Sequence, residues 1–253
     1  GRNDSAIVKI TSSGWEITID SDIKFIRASG MRELPLPDKD NGDIFALENY
    51  LNLNNHEDFI LIISVISFWY NRGLPSPIIN FEGQQGSGKS TLSKLLKDVL
   101  DPSKAALRSP PKNEVDLFIA ASHSFVLAYD NLSGIKNEMS DSFCRLTTGA
   151  GFSTRKLFKN AEEFIVEAQN PIIINGIDQI THRSDLLDRS IRFEIPQISP
   201  NVRVTEKTLW KKFYDDRPKI LAGLFSLISI GLSHFPKVKL EVSPRMIDFA
   251  KWG

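Results

Sequence analysis

Short apolar runs alternate with amphipathic stretches along most of the chain. Brief apolar runs that end in a polar or turn residue are typical of buried strands, whereas apolar residues recurring every three or four positions predict helices. We predict strands at 7–11, 15–19, 23–27, 76–82, 105–108, 124–129, 171–174 and 191–195, and a hairpin that pairs 153–158 with 163–167. We predict helices at 44–51, 56–71, 90–100, 113–122, 141–148, 185–188 and 205–233, and one more after Pro244.

The order of these elements predicts an α/β fold with a mostly parallel sheet that carries helices on both faces. Residues 31–43 contain Pro35, Pro37 and Gly42, a composition typical of a linker. We therefore expect a small β-rich N-terminal extension with its linker at 1–43, a helical lead-in and core at 44–200, and a C-terminal helical lid at 201–253. Because the sequence opens at Gly1 without Met and stops at Gly253, we expect it to be a fragment of a longer protein.

One stretch carries a phosphate-binding motif. It reads Gly83-Gln84-Gln85-Gly86-Ser87-Gly88-Lys89-Ser90-Thr91 and fits the pattern G-x-x-x-x-G-K-[ST]. Glycines allow backbone N–H groups to approach phosphate oxygens, a lysine reaches the β- and γ-phosphates, and a hydroxyl completes a Mg²⁺ shell. A chance glycine-rich turn is the alternative, but the predicted strand before the stretch and helix after it favour nucleotide binding. We call residues 83–91 the phosphate loop.

Two polar residues stand at the ends of later apolar runs. Asp130 follows Phe125-Val126-Leu127-Ala128-Tyr129, and such an acid coordinates Mg²⁺ beside a phosphate loop; a simple turn acid is the alternative. Asn175 follows Pro171-Ile172-Ile173-Ile174 and could orient water against the γ-phosphate as a sensor, unless it is a helix or turn cap. Asn131 stands where a second acid would polarise the attacking water, so no general base is assigned.

Basic residues suggest two further roles. Arg189, between a short helix and a strand, could stabilise transition-state charge in a neighbouring subunit; a surface ion pair with Asp185 or Asp188 is the alternative. Residues 149–159 combine glycines, aromatics and the cations Arg155, Lys156 and Lys159. Such a loop could follow a nucleic-acid backbone, although an ordinary solvated hairpin has the same composition.

Composition limits the partners and the cellular compartment that we expect for this chain. Lys plus Arg equals Asp plus Glu, 31 each, so bulk charge predicts neither a nucleic-acid nor a membrane partner. The longest apolar stretch, Phe59 to Tyr70, is too short to span a bilayer, and no secretory signal is visible. The single cysteine, Cys144, excludes an internal disulfide framework and fits a reducing, cytoplasmic compartment.

Together these motifs resemble the superfamily-three helicases, and most of all the poxvirus-type primase–helicase group found in phages, plasmids and integrated elements. The resemblance rests on the phosphate loop, the strand ending in Asp130, Leu146-Thr147-Thr148-Gly149-Ala150-Gly151, the basic hairpin and the strand ending in Asn175. Leu187-Asp188-Arg189-Ser190 and Pro244-Arg245-Met246-Ile247-Asp248-Phe249-Ala250 also resemble stretches in phage and bacterial proteins of this kind. The likeness covers residues 75–200 well and the flanks loosely.

The resemblance implies a P-loop NTPase core of AAA+ type, assembly as a homo-oligomeric ring, usually a hexamer, and ATP-driven movement on single-stranded DNA. It implies ATP and Mg²⁺ as cofactors, with Lys89 and Ser90 at the phosphates and metal, Asp130 as metal ligand and Asn175 as first sensor. Arg189 matches the arginine that acts on a neighbour, Arg155 and Lys156 face the pore, and Arg245 would be a second sensor. Two rival functions stay open: a non-unwinding ATPase that loads a helicase or remodels a complex, and a nucleotide-gated binding module with slow hydrolysis.

Overall fold

The computed structural model describes residues 6–23, 25, 28, 30–149, 152–155, 163–177, 180 and 183–253, and for 152–155 and 163–166 it describes the backbone. The strands are β1 (Ile7–Thr11), β2 (Gly14–Thr18), β3 (Ile78–Glu82), β4 (Leu127–Leu132), β5 (Phe152–Arg155), β6 (Glu163–Val166), β7 (Ile172–Gly176) and β8 (Ser190–Glu194). The α-helices are α1 (His56–Phe68), α2 (Lys89–Leu100), α3 (Glu114–Ser122), α4 (Asn137–Thr148), α5 (Ser184–Leu187), α6 (Glu206–His234) and α7 (Ile247–Trp252). Short 3₁₀ helices occupy Phe45–Tyr50, Pro200–Val202 and Phe235–Lys237.

The centre of the fold is a four-stranded sheet in the order β4-β7-β3-β8, in which every neighbouring pair runs parallel. All four strands therefore end at the same edge, which we call the carboxyl edge, and begin at the opposite, amino edge. Loops after such strands project from the carboxyl edge, where ligands of open α/β sheets bind. The mostly parallel sheet predicted from the sequence is confirmed.

Apolar side chains of the sheet alternate between two cores. Ile79, Phe81 and Ile173 belong to a cluster with α1, α2 and α6, whereas Ile78 and Ile174 belong to a second cluster with α3, α4 and α5. This period of two is what a strand buried on both faces requires, because successive side chains point to opposite sides. The predicted placement of helices on both faces is confirmed.

The two predicted N-terminal strands are present and pair as an antiparallel hairpin, which packs on α6. Trp15 Nε1 donates a hydrogen bond to Ser226 Oγ at 3.0 Å, and the Trp15 ring meets Phe225 edge-on at 5.6 Å between centroids. Ser229 Oγ donates to the carbonyl of Thr11 at 2.6 Å. The hairpin thereby covers the outer side of α6. The third strand predicted at 23–27 is not present at Ile23 or Phe25, and its other positions lie outside the described residues.

Two further predictions need correction. The segment at 44–51 is a 3₁₀ helix, with Leu47 N donating to Ile44 O and Leu51 N to Glu48 O. A short helix that must stop at Leu51, whose backbone is extended, gains little from a full α-helical turn. The strand predicted at 105–108 is a single bridge between Arg108 and Tyr129, and residues 105–107 join no ladder. The bridge consists of Arg108 N–H donating to the carbonyl of Ala128 and Asp130 N–H donating to the carbonyl of Arg108.

In the described part of the chain, α6 with its following turn is long and apolar enough, by length and composition alone, to cross a membrane. Its buried residues, Phe213, Ile220, Leu221 and Leu224 among them, lie in the same cluster as the sheet residues Ile79 and Phe81. A core helix of this kind passes the same test, so the finding gives no membrane assignment.

Buried charges join the end of α2 to its neighbours. Arg217 of α6 donates to the carbonyl of Asp98 at 2.6 Å and pairs with its carboxylate at 3.0 Å. Asp101 pairs with Lys97 and accepts the backbone N–H groups of Phe125 and Val126, at 2.8 and 3.1 Å. Burial raises the pKa of Asp98, against the opposing effect of Arg217. These contacts fasten the helix after the phosphate loop both to α6 and to the start of β4.

Candidate functional site

The phosphate loop lies at the carboxyl edge, between the end of β3 and the start of α2. Its glycines have positive φ angles of 153° at Gly83, 83° at Gly86 and 86° at Gly88. A β-carbon on Gly83 would lie 2.5 Å from the carbonyl oxygen of Ile195, so both the backbone conformation and the space require glycine there. The loop closes tightly enough to present its N–H groups to an anion at the N-terminus of α2.

Lys89 bends back over the phosphate loop. Its Nζ donates to the carbonyls of Gly83 and Gln84, at 2.7 and 2.8 Å, and to Ser87 Oγ at 3.2 Å. Burial lowers the pKa of Lys89, and the nearby Asp130 carboxylate opposes that shift. The loop partners are neutral, so the ammonium can exchange them for phosphate oxygens without leaving a buried carboxylate unpaired.

Asn52 fixes the loop from outside the motif. Its Nδ2 donates to the carbonyl of Ser87 at 3.0 Å and to that of Pro196 at 2.6 Å. One side-chain amide therefore ties the phosphate loop to the segment that follows β8. No sequence pattern indicates this role, because Asn52 stands in an ordinary polar run before α1 and its partners are far away in the chain.

Ser90 and Asp130 meet at the position expected for a metal. Ser90 Oγ donates to Asp130 Oδ1 at 2.7 Å, which joins the first turn of α2 to β4. Asp130 does not end the strand as predicted: β4 continues to Leu132, and its pairing with β7 shifts register between Tyr129 and Leu132. Mg²⁺ commonly takes one carboxylate and one hydroxyl from the protein and completes its octahedron with phosphate oxygens and water, so this donor set fits it. Within the described ranges, no group of three or more His, Cys, Asp and Glu could hold a metal without such a phosphate.

Asn175 cross-links three elements beside this pair. Its Oδ1 accepts the backbone N–H of Asn131 at 3.1 Å, and its Nδ2 donates to Ser93 Oγ on α2 at 3.0 Å. Asn131 itself has a left-handed backbone with φ 57°. Asn175 therefore connects β7 to the end of β4 and to α2. Its role as a sensor of the γ-phosphate stays a prediction.

Arg189 and Arg245 share a carboxylate at the amino edge. Arg189 Nη1 pairs with Asp185 at 2.8 Å, and Arg245 pairs with the same Asp185 and with Asp188 at 2.8 Å. Hydrogen bonds from Arg189 above all lower the pKa of Asp185 to about 2. In this chain Arg189 thus makes the ion pair considered as its alternative role. Whether it acts on a neighbouring subunit stays a prediction.

The position of Arg245 speaks against its predicted contact with nucleotide bound to its own chain. Its partner Asp188 precedes β8, whose first residue, Ser190, pairs with Ile78 at the start of β3. The phosphate loop begins after Glu82, and four strand residues span roughly 13 Å. Sequence order placed Arg245 in a C-terminal lid but could not reveal which edge of the sheet it reaches.

Cys144 of α4 lies beneath this arginine cluster. The thiol is buried beside Asp185, and burial, together with a hydrogen bond to Asp185, raises its pKa to about 12. This environment is that of a small core residue and gives the thiol no nucleophilic character.

The predicted basic hairpin exists as a backbone pair. β5 and β6 are antiparallel, with Ser153 opposite Ile165 and Arg155 opposite Glu163. Lys156 and Lys159, like the tip between the strands, lie outside the described residues, and no side-chain contact is described for Arg155. Nucleic-acid binding by these three residues stays a prediction.

Comparison with known proteins places the chain in a family. The model of the actinomycete integrative conjugative element replication proteins matches residues 44–252. No curated protein matches. Apo structures of the NrS-1 C-terminal region share the fold, with TM-scores of 0.55 and 0.52 and identities of 15% and 14%. Each likeness covers 88% of this chain and 51% of the other, so this chain spans about half the length of those structures.

A more distant likeness is to the JCV helicase, with a TM-score of 0.40 and 13% identity over 74% of this chain and 55% of that one. The family match instead covers most of the chain, including the phosphate loop and the strand tips with Asp130 and Asn175. The chain belongs to the family of actinomycete integrative conjugative element replication proteins.

Proposed function

We propose that this chain is the ATPase module of a replicative DNA helicase, with a P-loop core of AAA+ type related to the superfamily-three helicases. The observation that carries the proposal is the meeting of Lys89, Ser90 and Asp130 at the carboxyl edge of a parallel sheet. A cation, a hydroxyl and a carboxylate in this arrangement suit a Mg²⁺-bound triphosphate. Membership of a replication protein family supports DNA as the setting.

Each site residue has a definable task in such an ATPase. Mg·ATP supplies the phosphoryl group that is cleaved. The N–H groups of the phosphate loop bind its phosphates, and Lys89 exchanges the carbonyls of Gly83 and Gln84 for phosphate oxygens. Asp130 and Ser90 bind the metal, and the bonded pair they form here holds both ligands on one side of the loop.

Assembly as a ring, with a hexamer favoured, would place the amino edge of one subunit near the nucleotide of the next. Arg189, just before β8, would then stabilise negative charge that develops in the neighbour's site. To do so it must leave or share Asp185, its partner in the isolated chain. The β5–β6 hairpins would carry Arg155 and Lys156 to single-stranded DNA, and their position would shift with the bound nucleotide.

One observation favours a second function, a nucleotide-gated binding module with slow hydrolysis. Asn131 follows Asp130 where a second acid would activate water, and its backbone N–H is held by Asn175. An amide is not a base, so these residues would bind and order a triphosphate without accelerating water attack.

Steady-state ATP hydrolysis with and without single-stranded DNA tests the proposal. We expect DNA to stimulate the wild-type chain and the double variant Arg155→Ala/Lys156→Ala to lose that stimulation while it keeps basal hydrolysis. Lys237→Ala/Lys239→Ala removes the same charge at exposed positions near the C-terminus and should behave as wild type. Lys89→Ala should be inactive with or without DNA.

The outcomes separate the candidate functions. Robust hydrolysis that ignores DNA and the hairpin substitution would contradict the helicase and favour a non-unwinding ATPase. Nucleotide binding without hydrolysis, in a chain that sizing shows to be assembled, would favour the gated module.

A further inference from the structure

The segment that follows β8 covers the phosphate loop on its outer side. β-carbons placed on the three motif glycines would lie 2.5 Å from Ile195 O at Gly83, 3.0 Å from Ile198 Cδ1 at Gly88 and 3.8 Å from Arg203 Nη2 at Gly86. The first two contacts are backbone and apolar. The third is a guanidinium at the apex of a loop built to receive an anion.

Among the described residues, Arg203 has little to neutralise its charge. Its Nη2 donates to the carbonyl of Ile198 at 3.3 Å, and no carboxylate of the described residues lies within ion-pair distance. Lys89, the cation expected in the motif, is instead occupied by carbonyls of the loop. Arg203 is therefore a cation at the loop that keeps most of its donors for another partner.

We infer that Arg203 binds phosphate oxygens of the nucleotide held by its own subunit's loop. A guanidinium matches phosphate geometry with two parallel N–H groups, and a contact in cis can stabilise charge on the β- and γ-phosphates. Because Arg203 Nη2 lies 3.8 Å from the β-carbon position of Gly86, a triphosphate lying on the loop would come within its reach. Arg203 would thus make the nucleotide contact that the resemblance implied for Arg245 as a second sensor.

The inference rests on the proposed function, because it needs nucleotide at the phosphate loop. It does not depend on hydrolysis, on ring assembly or on DNA. Binding measurements on the 253-residue chain can therefore test it directly.

The experiment measures the affinity of a fluorescent ATP analogue with Mg²⁺ and its displacement by ATPγS and by inorganic tripolyphosphate. Arg203→Gln removes the charge, Arg203→Lys keeps it, and Lys207→Gln removes a charge from an exposed position four residues further on, in the first turn of α6. Loss of a charge-assisted hydrogen bond predicts roughly a 10- to 100-fold weaker affinity of Arg203→Gln for both competitors. Arg203→Lys should recover part of that loss, and Lys207→Gln should bind as wild type.

Two results would overturn the inference alone. One is an Arg203→Gln affinity for ATPγS within about twofold of wild type, in a chain whose Lys89→Ala variant loses binding. The other is a loss for ATPγS with unchanged binding of tripolyphosphate, which would place Arg203 on the nucleoside. If the wild-type chain binds no nucleotide, or Lys89→Ala binds as well as wild type, the proposed function fails and this inference with it. Thermal unfolding without nucleotide should be the same for all three surface variants, since Arg203 and Lys207 are exposed.

Discussion

Replacing Arg217 by methionine would break the buried ion pair that joins α6 to the helix after the phosphate loop. The side chains of Arg217 and Asp98 are only 9% and 10% exposed, and their charged atoms are 3.0 Å apart. Methionine retains an apolar stem of similar reach but removes the guanidinium. Arg217→Met therefore leaves the carboxylate of Asp98 buried without its main counter-charge.

The expected cost is about 3–5 kcal/mol of unfolding free energy, the range found when one partner of a buried pair is removed. For a chain of this size, that corresponds to a fall in Tm on the order of 10 °C. Removing both charges, in Asp98→Leu/Arg217→Met, should recover most of the loss, because a buried pair replaced by apolar side chains of similar volume is often close to neutral.

The loss of unfolding free energy in Arg217→Met should also depend on pH. Burial raises the pKa of Asp98, and Arg217 lowers it, so the variant should have the higher Asp98 pKa in the folded state. A carboxyl with a raised folded pKa binds its proton more tightly when folded, so it stabilises the folded state at low pH, and this stability is lost as pH rises through that pKa. The difference in unfolding free energy between wild type and Arg217→Met should accordingly become smaller as pH falls from 7 toward about 4.

Urea unfolding at several pH values measures both effects. Lys9→Met is the matched control, because Lys9 pairs with Glu16 at 3.9 Å on the surface, where both side chains are more than 60% exposed. Such a pair contributes about 0–1 kcal/mol. The reasoning would be refuted if Arg217→Met cost no more than Lys9→Met, or if its deficit were the same at pH 7 and pH 5.

Three further predictions concern the site. Gly83→Ala should weaken ATPγS binding about tenfold or more in titrations, because its β-carbon would clash with Ile195 O at 2.5 Å; an unchanged affinity would mean that the loop can move away freely. Asp130→Asn should bind nucleotide without Mg²⁺ about as wild type does but lose the gain that Mg²⁺ brings, and a retained Mg²⁺ effect would remove Asp130 from the metal shell. Asn175→Ala should lower the unfolding free energy by about 1–3 kcal/mol, because Asn131 N–H and Ser93 Oγ lose their partner, and Asn175→Asp should lose less if the acceptor matters most.

Much of the sheet could be predicted because both faces are buried. The apolar run at 171–174 and the alternating run at 191–195 need no tertiary information to be identified as strands, and they are β7 and β8 in the structure within a residue or two at each end. β7 is buried throughout, whereas β8 buries only Phe193. The single bridge at Arg108 was over-predicted as a strand, because pairing depends on what a segment finds beside it rather than on its own composition.

The candidate site was predictable where it follows from strand ends and a local motif. Ser90 and Asp130 are 40 positions apart in the chain. Ser90 follows the loop after β3, and Asp130 follows the apolar part of β4, so their approach follows from the parallel arrangement of the strands. Arg203 and Asn52 reach the loop through tertiary packing, and no spacing rule encodes that. The sequence marked Arg245 as a candidate, but it could not show that this residue pairs with Asp185 and Asp188 at the amino edge of the sheet.

The buried state of Cys144 makes the chain a convenient host for site-specific labels. Thiol reagents attack the thiolate, and a thiol with a pKa near 12 supplies almost none of it at neutral pH. A cysteine introduced at an exposed position, such as Lys207, would therefore react with a maleimide dye against very little background. Cys144 itself should react slowly, when α4 opens from its core. The labelling rate of Cys144 would therefore measure local unfolding next to Asp185.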